Sequence, residues 1–122
     1  MVAPRAPRFA GRLFVLIDSS NSSATFEFAS AVKRLGLGTL VGQPTGGNQR
    51  GINGGAFFFL RLPGSGIEVD LPLIAQYPRL GTGPRPDAGI EPDIPVRPTV
   101  EAIRTGADLE MAAVRASLRL SK

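Results

Sequence analysis

Five polar residues, Ser19, Ser20, Asn21, Ser22 and Ser23, separate an apolar strand-like run from an apolar-patterned helix in the stretch "LFVLIDSSNSSATFEFASAVKRL" from Leu13 to Leu35. Two kinds of chemistry suit such a junction between a strand and a helix. A Ser or Asn just ahead of a helix can accept a hydrogen bond from one of its unpaired N–H groups and act as a cap. A serine at the helix head also stands where backbone N–H groups converge and the dipole favours negative charge, which is where a nucleophile can be stabilised as it reacts. Ser23 occupies that position. The residues alone leave both readings open, because the nucleophile-elbow pattern GxSxG is absent and a reactive serine needs a base within reach.

Composition withholds the usual base. None of the 122 residues is histidine and none is cysteine. That removes the imidazole base, the thiolate nucleophile, the disulfide and the commonest metal ligands together. Carboxylates, Lys33, Lys122 and Tyr77 are the titratable alternatives. The acids Glu68, Asp70, Asp87, Glu91 and Asp93 read as loop or solvent-face residues, and no pair has the spacing of a metal or glycosidase site. Nothing calls for a cofactor or a metal.

Two glycine-rich segments are candidate ligand cradles. "GLGTLVG", Gly36 to Gly42, leaves a helix and enters a strand, the reverse of a dinucleotide fingerprint. "PTGGNQRGINGG" could hold an anion on its N–H groups with help from Arg50, but it lacks the Lys-Ser/Thr ending of a phosphate loop, so a loop-shaping role is preferred.

The elements that would position these residues follow from patterning. Arg12 to Asp18 is a near-continuous apolar run, as expected of a central parallel strand covered on both faces. Phe28, Val32 and Leu35 recur at helical spacing, so Ser23 to Leu35 is an amphipathic helix ending at Gly36. Thr39 to Val41 is a second strand, and the order makes a βαβ unit. Gly42 to Gly55 reads as a long loop. "AFFFLRLPGSGIEVDLPLI" reads as a hairpin turning at Pro63 to Gly66, with Phe58, Leu60 and Leu62 on one face of its first strand and Ile67, Val69 and Leu71 on one face of its second. After another loop, Ile94 to Val96 is a short Pro-flanked edge strand. Thr99 caps a short helix closed by Gly106, and Ala107 to Leu120 is a last helix carrying Met111, Val114 and Leu118. The expected organisation is a Pro/Arg-rich arm over residues 1–11 and one α/β domain over 12–122.

A net charge of +4 is spread along the chain, which predicts solubility better than a nucleic-acid partner; only the ends (Arg5, Arg8, Arg12; Arg115, Arg119, Lys122) hint at one. No apolar run approaches the roughly 18 to 20 residues of a membrane span, and "MVAPRAPRFAG" has no apolar core of a signal peptide. The default expectation is a cytoplasmic chain with neither nucleic acid nor membrane as partner.

Three segments in order resemble the C-terminal half of the catalytic domain in C-terminal-processing and tricorn-type serine peptidases, serine peptidase family 41. They are "LFVLIDSSNSSATFEFASAVKRLGLGTLVGQPTGGN", the hairpin ending "IEVDLPL", and "PDAGIEPDIPV". The resemblance implies a ClpP/crotonase-like half-domain: a central βαβ unit, a β-hairpin and a C-terminal helix. It implies Ser23 as nucleophile, the Ala24 backbone N–H as an oxyanion donor, Glu68 or Asp70 as a network carboxylate, and Gly46, Gly47 and Asn48 as a substrate-binding loop. The substrate it implies is a peptide or unfolded protein.

In the lysine-dyad branch of that family the base would fall at position 48, which here is Asn48; in the tricorn-type branch it is a histidine from the preceding half-domain, and this chain has none. The expectation is therefore a truncated peptidase domain, inactive alone, whose uncovered strand edge is met by homo-oligomerisation, most simply a dimer. The competing readings are a non-catalytic module that binds peptides by strand addition, with Ser23 only a cap, and, more weakly, a basic nucleic-acid accessory protein.

Overall fold

A computed structural model of the chain describes residue 6, residues 9–77 and residues 85–120. Most of the expected arm over 1–11, the centre of the second loop at 78–84, and Lys122 lie outside them. The described elements are β1 (Phe14–Ile17), α1 (Ser23–Leu35), β2 (Thr39–Gly42), β3 (Ile52–Arg61), β4 (Glu68–Gln76), β5 (Ile94–Pro95), α2 (Val100–Thr105) and α3 (Leu109–Arg119). The fold is mixed α/β. β1, β2 and β5 form a parallel sheet in the order β1-β2-β5, while β3 and β4 form a separate antiparallel ribbon.

The βαβ unit is present as expected, but β2, not β1, is the central strand. A continuous apolar run implies burial on both faces; β1 instead lies at the sheet edge, and its Leu16 is 44% exposed. Leu40 and Val41 of β2 are fully buried. Leu40 joins Ile17, Phe26, Ala29, Val32 and Ile90 in the core under α1. Val41, one residue on, faces the other side of the sheet, where α3 rests on β2.

α1 has its expected bounds and closes on Gly36 in the left-handed conformation, φ 61°, which a glycine adopts without a Cβ penalty. Its buried face is Phe26, Ala29 and Val32, not Phe28, Val32 and Leu35; Phe28 and Leu35 are more than half exposed. Small Ala29 lets the helix lie close on β2, and that choice turns Phe28 outward.

The glycine-rich loop is shorter than expected because β3 starts at Ile52, inside the predicted loop, and bends through a bulge between Gly54 and Phe57 with Gly55 at φ 81°. α2 is capped as expected, with the Ala102 N–H donating to Thr99 Oγ1 at 3.1 Å and Gly106 ending it. α3 starts later than expected, capped by Asp108, which accepts from the Met111 N–H at 2.8 Å. Of its expected apolar set only Val114 is buried.

Asp93 ties the entry of β5 to β2 and to α1. Its carboxylate accepts from the Leu40 N–H at 2.8 Å and from Lys33 Nζ of α1 at 3.0 Å, and its own N–H donates to the Leu40 carbonyl at 2.8 Å. The Leu40 N–H, helped by the Lys33 ammonium, holds the Asp93 carboxyl below the usual carboxylate range. A carboxyl whose folded pKa is depressed stabilises the fold above its unfolded value of about 3.9, and that contribution is lost as pH falls through the lower folded value. Urea midpoints should therefore be flat near neutrality and drop in acid. Asp93→Asn is expected to cost about 1 kcal/mol at pH 7 and to make the acid limb shallower, a modest figure because the pair is partly solvated; an unchanged limb would remove Asp93 from this role.

Candidate active site

The polar junction folds into a tight turn before α1. Asp18 follows β1, and its carboxylate accepts from the Ser20 N–H at 2.8 Å and the Ser20 hydroxyl at 2.5 Å. Those bonds hold the Asp18 carboxyl below its ordinary range. The Asp18 N–H donates to Asn21 Oδ1 at 2.7 Å, and the Asn21 N–H returns to the Asp18 carbonyl at 3.1 Å. Two of the five polar residues, Ser20 and Asn21, thus use their side chains on Asp18, the usual turn chemistry of Asx and Ser.

Capping does not explain Ser22 and Ser23. Ser22 is the residue before α1, yet its side chain makes no capping bond; its carbonyl instead accepts from the Thr25 hydroxyl at 2.8 Å. Ser23 is the first helical residue and has φ 51°, the one non-glycine residue with positive φ among those described. Left-handed backbone at a serine costs on the order of 1–3 kcal/mol and persists only where the surroundings impose it. Here the Asp18–Asn21 turn does so from one side and the helix from the other. Ser23 is exposed and its hydroxyl has no hydrogen-bond partner among the described residues, nor has the Ala24 N–H beside it. The first N–H groups of a helix lack intrahelical acceptors, so Ala24 keeps a donor free one residue from the serine.

The glycine loop is pressed against this turn. The Gly46 N–H donates to the Asn21 carbonyl at 3.1 Å, and a Cβ at Gly46 would lie 2.0 Å from the Ser19 carbonyl oxygen. A Cβ at Gly47 would overlap the Phe26 ring. Of the expected substrate loop, Gly46 and Gly47 therefore lie beside the serine turn. Asn48 turns away from it: its amide donates to Asp87 at 2.5 Å. Arg50, weighed as an anion anchor, is engaged with the other oxygen of Asp87 at 2.8 Å. Asn48 and Arg50 together hold the Asp87 carboxyl below its ordinary range.

The segment from Asp87 to Asp93 supports the loop from behind. Thr45, buried though polar, accepts from the Ile90 N–H at 2.8 Å through its hydroxyl and donates its own N–H to the Ile90 carbonyl at 3.1 Å. Gln49 bonds the Ala88 and Gly89 carbonyls at 3.0 and 2.8 Å. Thr45 carries no signal in the sequence, and Asp87 and Asp93, expected as loop or solvent-face acids, are tied to partners some forty or fifty residues away. Glu68 and Asp70 stand exposed on the ribbon opposite Arg61 and Phe59, and no hydrogen bond or ion pair joins them to the serine turn among the described residues.

A cleft of about 370 Å³ runs beside α1, lined by Phe26, Glu27, Ser30, Asn48, Gln49 and Tyr77 among others. Glu27 and Ser30 lie one and two turns below Ser23 on the same helix face. No group of acids among the described residues is arranged to hold a metal ion, and no described helix is long and apolar enough to cross a membrane.

The family model described as peptidase family S41 matches residues 3–96, most of the chain. The chain belongs to peptidase family S41. The match takes in the Ser23 turn, the glycine loop, the ribbon and the Asp87–Asp93 segment, and ends at Val96, ahead of α2 and α3. No curated protein matches the chain.

The packing of loop on turn sets a measurable cost. Gly46→Ala must push the loop off the Ser19 carbonyl, and overpacking of this kind costs about 1–3 kcal/mol. Chemical denaturation is expected to show a loss in that range; a loss within error of zero would mean that the loop and the serine turn are not in contact.

Proposed function

We propose that this chain carries the nucleophile side of a serine peptidase centre with ClpP/crotonase-like architecture, acting on peptides or unfolded protein. Ser23 attacks the scissile carbonyl carbon through its hydroxyl oxygen and passes its proton to a base. The oxyanion that forms accepts a hydrogen bond from the Ala24 N–H, the amine leaves with a proton, and water then hydrolyses the acyl-enzyme. The cleft beside α1 receives a substrate side chain. The observation that carries this reading is the Ser23 backbone: a serine forced to φ 51° at a strand-to-helix turn, with its hydroxyl exposed and unused by the fold. Structure stores such strain at functional positions.

The base comes from outside these 122 residues, which contain no histidine and have an amide, Asn48, at the dyad lysine position. An amide does not accept a proton near neutral pH, so the hydroxyl of Ser23 stays protonated and the chain alone turns over slowly or not at all. Within the family, the missing lysine favours the tricorn-type arrangement over the lysine dyad. A non-catalytic module remains the competing reading, favoured by the same missing base.

Chemical rescue separates the two. A fluorophosphonate probe is expected to label the chain poorly alone and about tenfold faster with added imidazole, a modest share of the roughly 10²–10⁴ that a positioned base gives. Ser23→Ala should abolish the imidazole-dependent label. Rapid Ser23-dependent labelling without imidazole would overturn the claim of inactivity, and a label that survives Ser23→Ala would overturn the nucleophile.

A further inference from the structure

The β3–β4 ribbon has only two strands and is exposed on both faces from Gly55 onward. Phe57, Phe58 and Phe59 are 48%, 53% and 59% exposed. Isolated two-stranded ribbons are marginal in water, and exposed aromatic clusters of this size mark contact surfaces.

The two outer edges of the ribbon differ. The Leu62 N–H donates to the Ile67 carbonyl at 2.9 Å. Antiparallel alternation then makes Leu60/Val69 and Phe58/Leu71 the hydrogen-bonded pairs, and Arg61/Glu68, Phe59/Asp70 and Phe57/Pro72 the pairs whose backbone groups point outward. On β4 the outward set includes Pro72, which has no N–H to offer and blocks strand addition there. On β3 the outward set is Phe57, Phe59 and Arg61, and every one keeps its donor.

We infer that the outer edge of β3 pairs with itself: two copies of the chain join antiparallel about a two-fold axis at Phe59, giving a four-stranded sheet in the order β4-β3-β3-β4. The register is self-complementary. Phe59 meets the partner's Phe59, and Phe57 meets the partner's Arg61, twice over. Arg61 has no ion pair or hydrogen bond among the described residues, and a guanidinium across from an aromatic ring is a favourable pair. The chain already makes one such contact, Arg12 lying 5.0 Å from the centre of the Phe14 ring. The bulge before Phe57 and Pro63 beyond the strand end confine the pairing to residues 57–61. This association does not rest on the peptidase reading, so Ser23→Ala should assemble like the unaltered chain.

Sedimentation velocity at micromolar concentration should show a dimer. Phe59→Pro removes an outward N–H without taking a bond from the β3–β4 ladder, and should give a monomer with an unchanged circular dichroism spectrum. If that spectrum is lost, Arg61→Glu serves instead and should weaken dimerisation at least about tenfold. The chain has no cysteine, so single cysteines report contact cleanly. Phe59→Cys should cross-link on mild oxidation, because hydrogen-bonded opposite residues sit about 5.5 Å apart at Cα, within disulfide range, whereas Val69→Cys should not. A monomeric unaltered chain would overturn the proposal, whether the edge then takes an added peptide strand or nothing. So would a dimer indifferent to the edge variants, or Val69→Cys cross-linking as readily as Phe59→Cys.

Discussion

Close approach of three backbones governs this structure. The loop after β2 runs between the serine turn on one side and the Asp87–Asp93 segment on the other. It fits because three glycines leave room: a Cβ at Gly42 would meet the Ile17 carbonyl oxygen at 2.2 Å, one at Gly46 the Ser19 oxygen at 2.0 Å, and one at Gly89 the Thr45 oxygen at 1.9 Å. With no side chain between them, the layers come close enough for Gly46 to bond Asn21 and for Thr45 to bond Ile90. The turn that holds Ser23 at positive φ is thereby fixed from behind. Strain at one residue needs rigidity in its neighbours, and here backbone contact supplies most of that rigidity.

The chemistry of the site follows from that packing. Several polar side chains of the serine turn and the glycine loop are already committed: Asp18 to Ser20, Asn21 to Asp18, Thr25 to Ser22, Asn48 and Arg50 to Asp87. The Ser23 hydroxyl and the Ala24 N–H are left uncommitted among the described residues. The peptidase family S41 match spans this turn.

Legibility in the sequence tracked the range of the interactions. α1 could be bounded because a polar junction and Gly36 punctuate it, both local signals. Its buried face was misread because aromatic residues stand at both 26 and 28, and the deciding residue was small Ala29 fitting against β2. β1 was read as central because an apolar run reports burial and not the number of neighbouring strands. β3 was entered late because Gly54 and Gly55 look like loop while serving a bulge. Ser23 was singled out from its place in the junction, but its left-handed backbone had no signal, since serine is not a residue that announces positive φ. Thr45 carries no local signal, and the bonds of Asp87 and Asp93 are invisible in a loop-acid pattern, because each is defined by a partner far along the chain.

Separating the ribbon from the parallel sheet divides the folding problem in time. β3 and β4 meet across a short turn, and hairpins close in about 1–10 μs. The β2–β5 pairing joins Val41 to Ile94, so the sheet that positions Ser23 is completed only after everything between has been looped out. The ribbon lies wholly inside that loop, with its phenylalanine run exposed while β5 is still searching for β2, a hazard for association in the wrong register. The same arrangement makes the ribbon the place where the chain tolerates a change of length. Closure entropy rises only with the logarithm of loop size, so strands can be lengthened or shortened there with little effect on the layers that hold the serine.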